Sequence, residues 1–210
     1  MKIGIIGAGK IGATIANLFI KAGHAVALSN SRGPESLKEL ITSLGDNAIA
    51  LSVNEAAAFG DIVFLATPWR ETAALPDAIT VQDKIVIDAM NPYLANGKLA
   101  DLGNSTSSEE TAKRLPGATI VKAFNTIHYQ HLNNSSEQKL PLQERRAIFM
   151  ASDSIEAKAK VSRLIEEIGF AAIDTGNLRD GGQMQQPGSE LYNKEITCAD
   201  AHDILKKDEA

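Results

Sequence analysis

The sequence predicts an α/β protein built on a doubly wound, mostly parallel β-sheet, and two observations lead to this prediction. Short apolar segments typical of buried strands alternate with segments in which apolar residues recur at helical spacing. The apolar segments 61–67 and 84–89 are almost continuously hydrophobic, as strands are when helices cover both faces of a parallel sheet. The short links between segments also favour strands and helices that alternate within one domain.

The individual elements follow from apolar spacing and from helix start and stop signals. The predicted strands are 2–6, 25–29, 48–51, 61–67, 84–89, 119–125, 146–151 and 171–174. The predicted helices are 10–22, 34–44, one from Ser52 to about Gly60, one from Ser107 that Pro116 stops, and 155–168. Ser52 with Glu55, and Ser107 with Glu110, have the spacing of a capping box, so each pair is predicted to start a helix. Segment 133–143 is polar and is predicted to be a surface loop.

The composition limits the functional classes. The 210 residues fit one domain, and the net charge of −5 without a basic run makes nucleic acid and anionic membranes unexpected partners. The single cysteine, Cys198, belongs to no cluster with metal-ligand spacing, so we expect no metal site and a reducing, cytoplasmic setting. No apolar run reaches the roughly 18 residues of a membrane-spanning helix.

A glycine-rich turn connects the first predicted strand to the first helix. Its residues are Gly7, Ala8, Gly9, Lys10, Ile11 and Gly12. In this pattern the first glycine permits a tight turn, the second lets a pyrophosphate approach, and the third lets the helix lie close to the strand. The helix N-terminus favours phosphate. We therefore predict an NAD(P)-binding Rossmann fold over residues 1–176. The tail 177–210 is expected to complete the site or an interface, and its fold is not predicted.

The end of the second strand distinguishes NADP from NAD. Enzymes that use NAD usually carry Asp or Glu there to accept from the ribose hydroxyls, whereas this chain has Asn30, Ser31 and Arg32. An arginine can hold a phosphate through two hydrogen bonds, and the serine and asparagine can donate to it as well. This pattern predicts that the cofactor is NADP(H), bound through its 2′-phosphate.

Three motifs resemble the coenzyme F420-dependent NADP oxidoreductase family, and the similarity covers roughly residues 1–178. They are Asn-Ser-Arg-Gly-Pro-Glu at 30–35, Thr-Pro-Trp at 67–69 and Lys-Ala-Phe-Asn-Thr-Ile at 122–127. The family also resembles the reductase domain of membrane ferric reductases. The resemblance implies a Rossmann domain that binds NADP(H), exchanges hydride with an 8-hydroxy-5-deazaflavin and forms a homodimer.

The resemblance also implies roles for individual residues. Gly7 to Gly12 would form the phosphate turn, and Ser31 and Arg32 would hold the 2′-phosphate. The residues that would follow the dinucleotide towards the stacked rings are Thr67, Pro68, Trp69, Asn91, Ala123, Phe124 and Asn125. Two places depart from the family pattern: His128 stands where a proline is common, and 181–189 is polar and glycine-rich where the family has an apolar helix for dimer contacts.

Hydride transfer between two cofactors needs two rings held face to face and no covalent nucleophile. The expected acceptor is a small, flat redox molecule such as coenzyme F420 or a flavin such as FMN. A carbonyl or imine acceptor would instead need a proton donor. His128 is the candidate donor, with Asn125 as a second candidate catalytic residue and a turn role more typical for Asp88. The sequence leaves three alternatives open: a flat-acceptor reductase, a small carbonyl or imine reductase, and a non-catalytic NADPH sensor.

Overall fold

The computed structural model describes residues 1–71 and 74–208, without the side chains of Lys207 and Asp208. In this part of the chain, eight strands form one sheet in the order β3-β2-β1-β4-β5-β6-β7-β8. Neighbouring strands are parallel except for β6 and β7. The doubly wound, mostly parallel fold is therefore confirmed. The strands are β1 (Lys2–Ile6), β2 (Ala25–Ser29), β3 (Ala48–Ala50), β4 (Ile62–Leu65), β5 (Ile85–Asp88), β6 (Thr119–Ala123), β7 (Ala147–Ala151) and β8 (Ala171–Asp174).

Helices cover both faces of the sheet. They are α1 (Lys10–Lys21), α2 (Lys38–Leu44), α3 (Val53–Phe59), α4 (Ser107–Arg114), α5 (Tyr129–Asn134), α6 (Ile155–Glu167), α7 (Asp180–Met184) and α8 (Cys198–Asp208). One buried cluster joins one face of the strands to α1 and α6, and a second joins the other face to α3 and to the residue after α4. Water is thus excluded from both faces of the sheet, which explains why the strand sequences are continuously apolar.

Two helix starts differ from the predictions. The segment 34–44 is a 3₁₀ turn, Pro34–Leu37, followed by α2, and not one α-helix. The capping box of α4 is formed by Thr106 and Glu109, so the prediction of Ser107 as the cap is wrong by one residue. Both pairs have the same spacing, but Thr106 has the extended backbone of a cap. The capping box of Ser52 and Glu55 at α3 is confirmed.

The tail after β8 packs on the outer strands. Helix α8 and Leu191 form a third buried cluster with the apolar residues of β7 and β8. None of the described helices combines the length and apolar character that crossing a membrane requires.

The strand order fixes where a ligand can bind. The chain winds outward from β1 to β3 in one direction and from β4 to β6 in the other. In open sheets of this kind, the crevice for ligands lies beyond the carboxyl ends of the two strands where the winding reverses. In this protein those strands are β1 and β4, so the segments that follow Ile6 and Leu65 face the crevice.

Candidate functional site

The glycine-rich turn between β1 and α1 brings the helix N-terminus to the crevice. Gly7 has a φ of 105°, and its N–H donates to the carbonyl of Ser29 at 3.0 Å. A Cβ atom at Gly12 would lie 1.8 Å from the carbonyl oxygen of Gly7, so α1 could not lie this close with any side chain there. A Cβ atom at Gly9 would meet nothing within 4 Å. This open side leaves the first N–H groups of α1 accessible to a phosphate.

The segment after β2 presents polar side chains beside this turn. The side-chain oxygen of Asn30 accepts the backbone N–H of Arg32 at 2.9 Å, and its Nδ2 donates to the Ser36 hydroxyl at 2.9 Å. These bonds order the loop while the side chains of Ser31 and Arg32 stay exposed. Arg32 forms no ion pair with any carboxylate whose side chain the structure describes. Its charge is therefore available to an anion.

The first cleft, as we call it, has a volume of about 430 Å³ and lies between these two segments and the segment after β4. The predicted residues that line it are Gly7, Ala8, Gly9, Asn30, Ser31, Arg32, Thr67 and Pro68. The structure thus brings together, on one continuous wall, motifs that lie up to about 60 residues apart in the chain. The wall combines free backbone N–H groups at one end with an arginine at the other.

The second cleft has a volume of about 260 Å³ and adjoins the first, because Ala66, Thr67 and Pro68 line both. Its other walls come from the start of α1, the segment after β4 and the segment after β5. The lining residues from these segments are Ile11, Trp69, Arg70, Ala89, Met90, Asn91 and Tyr93. The cleft therefore has mainly apolar walls, with a few polar groups at its edge.

Trp69 is held rigidly in the wall of the second cleft. The guanidinium carbon of Arg114 lies 4.4 Å from the centre of the indole ring, and the indole N–H donates to the carbonyl of Ser107 at 3.4 Å. Trp69 is 8% exposed. A fixed, mostly buried aromatic residue forms a firm apolar surface for a ligand.

The carboxyl ends of β5 and β6 are joined by a pair of asparagines. Asn91 Nδ2 donates to the backbone oxygen of Asn125 at 2.9 Å, and Asn125 Nδ2 donates to the side-chain oxygen of Asn91 at 3.2 Å. Phe124 directs the chain into this contact with a φ of 65°, which is unusual for a bulky residue. Ala123 and Phe124 are themselves buried in the core, at 0% and 1% exposure, and line neither cleft.

A buried ion pair supports the segment after β5, and sequence reasoning missed its lysine. Lys122 Nζ lies 3.7 Å from an oxygen of Asp88 and also donates to the Ser107 hydroxyl at 3.2 Å and to the carbonyl of Met90. Asp88 in turn accepts from the backbone N–H of Met90 and from the Ser108 hydroxyl. Burial lowers the pKa of Lys122, and the Asp88 carboxylate opposes that shift. The pair closes the turn that presents Asn91 to the second cleft.

The candidate proton donor His128 and the predicted phosphate-turn residue Lys10 are both exposed. His128 directly precedes α5 and packs against Tyr129, with the two rings tilted and their centres 4.5 Å apart. Lys10 donates to the hydroxyl of Tyr129 at 3.2 Å, and His131 pairs with Glu195 at 2.7 Å. Neither His128 nor Lys10 lines either cleft. Among the described residues, no group of three or more His, Cys, Asp or Glu could hold a metal ion.

Known proteins resemble this chain in sequence and in fold. Residues 2–92 match the sequence model of the family described as NADP oxidoreductase, coenzyme F420-dependent. The chain belongs to this family. It has the mostly parallel, NAD(P)-binding Rossmann fold of these proteins. The hypothetical protein SMa0349 of Sinorhizobium meliloti is 32% identical, with a TM-score of 0.82 over 94% of this chain and 95% of that protein.

More distant relatives are much longer than this chain. Rat metalloreductase STEAP3 is 27% identical over 187 residues, which are 88% of this chain and 36% of the rat protein. Human metalloreductase STEAP2 is 26% identical over 90% of this chain and 36% of its own length. The chain therefore spans about a third of the length of these metalloreductases. An imine reductase of Bacillus cereus shares the fold, with a TM-score of 0.62 at 18% identity, over 98% of this chain and 59% of that protein.

Proposed function

We propose that this oxidoreductase transfers hydride between NADP(H) in the first cleft and a flat redox ring, a deazaflavin such as coenzyme F420 or a flavin, in the second cleft. The observation that carries the proposal is the shared wall of Ala66, Thr67 and Pro68. A dinucleotide that runs along the first cleft reaches the second cleft at this wall. Its nicotinamide would then meet an acceptor ring held in the second cleft.

The glycine-rich turn fits the pyrophosphate of the dinucleotide. The space beside Gly9 is open, and Gly9 is the N-cap of α1, where the first N–H groups of a helix are free to bind a phosphate. The residues that we propose for this contact are Gly7, Ala8, Gly9, Lys10, Ile11 and Gly12. Ile11 also lines the second cleft, so the turn reaches from the phosphates to the ring.

The end of β2 fits a 2′-phosphate. The exposed guanidinium of Arg32 and the hydroxyl of Ser31 lie on the same cleft wall, while Asn30 uses its side chain to hold the loop. Arginine binds phosphate through two parallel hydrogen bonds and keeps its charge at all physiological pH values. We propose that Arg32 and Ser31 select NADP(H) over NAD(H).

The second cleft fits a flat, mostly apolar ring. Pro68, Trp69 and Met90 offer extended apolar contacts, and the Asn91 amide offers a hydrogen-bonding group at the edge. Hydride transfer between two rings depends on their distance and orientation, which rigid walls of this kind control. Asn125 would act through Asn91, because Asn125 is only 4% exposed and lines neither cleft. His128 would act as a proton donor only if the acceptor is a carbonyl or an imine.

The test is anaerobic NADPH oxidation by the purified protein, with a coenzyme F420-type deazaflavin and FMN offered separately. We expect fast oxidation with at least one of them, none without an acceptor, and much slower oxidation of NADH. NADPH binding without oxidation by either ring would contradict the proposal. In that case oxidation with small carbonyls or imines, and its loss in His128→Ala, would identify a carbonyl or imine reductase. No oxidation with any acceptor would leave an NADPH-binding sensor.

A further inference from the structure

The tail segment between α7 and α8 lies against the carboxyl ends of β5 and β6. Asn125 Nδ2 donates to the backbone oxygen of Gln185 at 2.7 Å, and the backbone N–H of Asn193 donates to the carbonyl of Thr126 at 3.1 Å. Leu191, at 2% exposure, anchors the segment in the buried cluster beside β7. The segment is therefore fixed at several points, and its place does not depend on any one side chain.

Between these anchors the tail brings Tyr192 against a residue that lines the second cleft. Asn91 Nδ2 donates to the hydroxyl of Tyr192 at 3.4 Å. Asn91 itself lines the second cleft. A residue from the far end of the chain thus contacts a lining residue from the segment after β5.

Tyr192 is suited to act as a neutral hydrogen-bonding group. Burial, and next the hydroxyl of Tyr93, raise the pKa of Tyr192 well above its ordinary value. The hydroxyl therefore keeps its proton over the physiological range. It can accept from the Asn91 amide and donate its own proton to a neighbour or a ligand.

Hydrogen bonds join Asn91, Asn125 and Gln185 into what we call the amide cluster. Some hydrogen-bonding groups of this cluster are not used within the fold. The side-chain oxygens of Asn125 and Gln185 are buried and have no hydrogen-bond partner among the described residues. Buried acceptors without a partner are rare because each one costs free energy. Such a cluster next to a cleft is better explained by a role in binding than by a role in stability.

We propose that Tyr192 is a positioning residue of the acceptor site, which orients the Asn91 amide towards the polar edge of a flat ring in the second cleft. The inference rests on the proposed function, because it needs a ring in that cleft. Asn91 Nδ2 keeps its bond to the backbone oxygen of Asn125 when the tyrosine hydroxyl is removed. Removal of the hydroxyl should therefore change how well the amide is oriented and leave the fold intact.

The single tryptophan of the chain makes this inference measurable. Trp69 lines the second cleft, so its fluorescence reports on a ring bound there. We would titrate riboflavin into native protein and into Tyr192→Phe, both saturated with NADP⁺ so that the first cleft is filled. Riboflavin carries the ring without a phosphate, which keeps contacts to surface arginines out of the result. The dissociation constant of NADPH would be measured for both proteins as well.

A matched control removes another hydroxyl from the same tail. The Thr197 hydroxyl bonds to Asp200 at the start of α8, and Thr197 lines neither cleft. Thr197→Val therefore reports what a small loss of tail stability does by itself. Unfolding midpoints of the three proteins would show that each is folded at the assay temperature.

We expect Tyr192→Phe to weaken riboflavin binding about three- to tenfold, the range for one neutral hydrogen bond, while NADPH binding and Thr197→Val stay at native values. Native riboflavin affinity in Tyr192→Phe would overturn the inference and leave the proposed function standing. An equal loss of NADPH and riboflavin affinity, or the same loss in Thr197→Val, would also overturn it, because both results indicate a general structural effect. Native protein that binds neither riboflavin nor the coenzyme F420-type deazaflavin, titrated in the same way, would overturn the inference and the flat-acceptor function together.

Discussion

The two clefts are built in different ways. The first cleft is lined by runs of neighbouring residues, from the glycine-rich turn, from the segment after β2 and from the segment after β4. The second cleft is formed by side chains, and their support comes from separate parts of the chain. Lys122 lies under the turn that carries Asn91, and Tyr192 contacts Asn91 from the tail. A cleft lined by local runs of residues needs little support from the rest of the chain, whereas the second cleft depends on residues that are distant in the sequence.

The difference has a functional meaning. A cofactor common to many enzymes can be held by a local, transferable motif, because its phosphates present the same chemistry each time. An acceptor that differs between relatives must be recognised by groups that can change one at a time. We therefore expect substitutions around the first cleft to alter NADPH affinity and substitutions around the second to alter stability and acceptor binding.

The largest effect is expected for the buried ion pair. Lys122→Met leaves the Asp88 carboxylate at 0% exposure without a counter-charge, so the free energy of unfolding should fall by about 3–5 kcal/mol. Urea unfolding at neutral pH measures this loss. The double variant with Asp88→Asn removes both charges and should recover most of the stability. A single variant as stable as the native protein would show that the pair does not hold this region together.

The next largest effect separates two glycines of one turn. Gly12→Ala places a methyl group against the carbonyl oxygen of Gly7, so α1 must shift, at a cost of about 3 kcal/mol in unfolding free energy. Gly9→Ala meets open space and should cost only about 0.5 kcal/mol, yet it should weaken NADPH binding. Urea unfolding and NADPH titration of both variants check this pattern. Equal stabilities would argue against the close approach of α1 at Gly12, and native NADPH affinity in Gly9→Ala would argue against a phosphate at this turn.

Arg32→Ala tests the other end of the first cleft. Loss of a charged contact to the 2′-phosphate should raise the dissociation constant of NADPH about 10- to 30-fold, or about 2 kcal/mol, and change that of NADH by less than about twofold. The effect should shrink at high salt because Arg32 is exposed. Parallel losses for both nucleotides would place the 2′-phosphate elsewhere.

The contrast between the clefts also explains what the sequence could predict. The alternation of apolar segments predicts the sheet, and the turn at 7–12 with the motif at 30–35 predicts the first cleft, because these signals are local. Ala123 and Phe124 match the family motif as well as Asn125 does, but they are buried in the core, whereas the Asn125 side chain donates to Asn91 of the second cleft. The pattern at 122–127 cannot show which of its side chains enter the core.

The residues that sequence reasoning missed depend on long-range pairing. Lys122 reads as a polar residue in a strand, and only its register opposite Asp88 explains how a lysine can be buried there. Gln185 and Tyr192 lie in a tail without helical or strand periodicity. Their contacts to Asn125 and Asn91 join positions 60 and 101 residues apart. One signal for the buried ion pair was present in the sequence: a lysine stands within an apolar strand, and a carboxylate ends the neighbouring strand.

The smallest predicted effect compares two capping boxes of the same design. The Ser52 hydroxyl beside the first cleft bonds only within its own box, whereas the Thr106 hydroxyl also donates to the carbonyl of Leu178 in the tail at 3.1 Å. Ser52→Ala should therefore lower the free energy of unfolding by about 1 kcal/mol and Thr106→Ala by about 2 kcal/mol, since the second leaves a buried carbonyl without its donor. Urea unfolding of the two variants gives the difference directly. Equal losses of unfolding free energy would show that long-range side-chain hydrogen bonds stabilise the region of the second cleft no more than that of the first. This result would contradict the contrast between the two clefts.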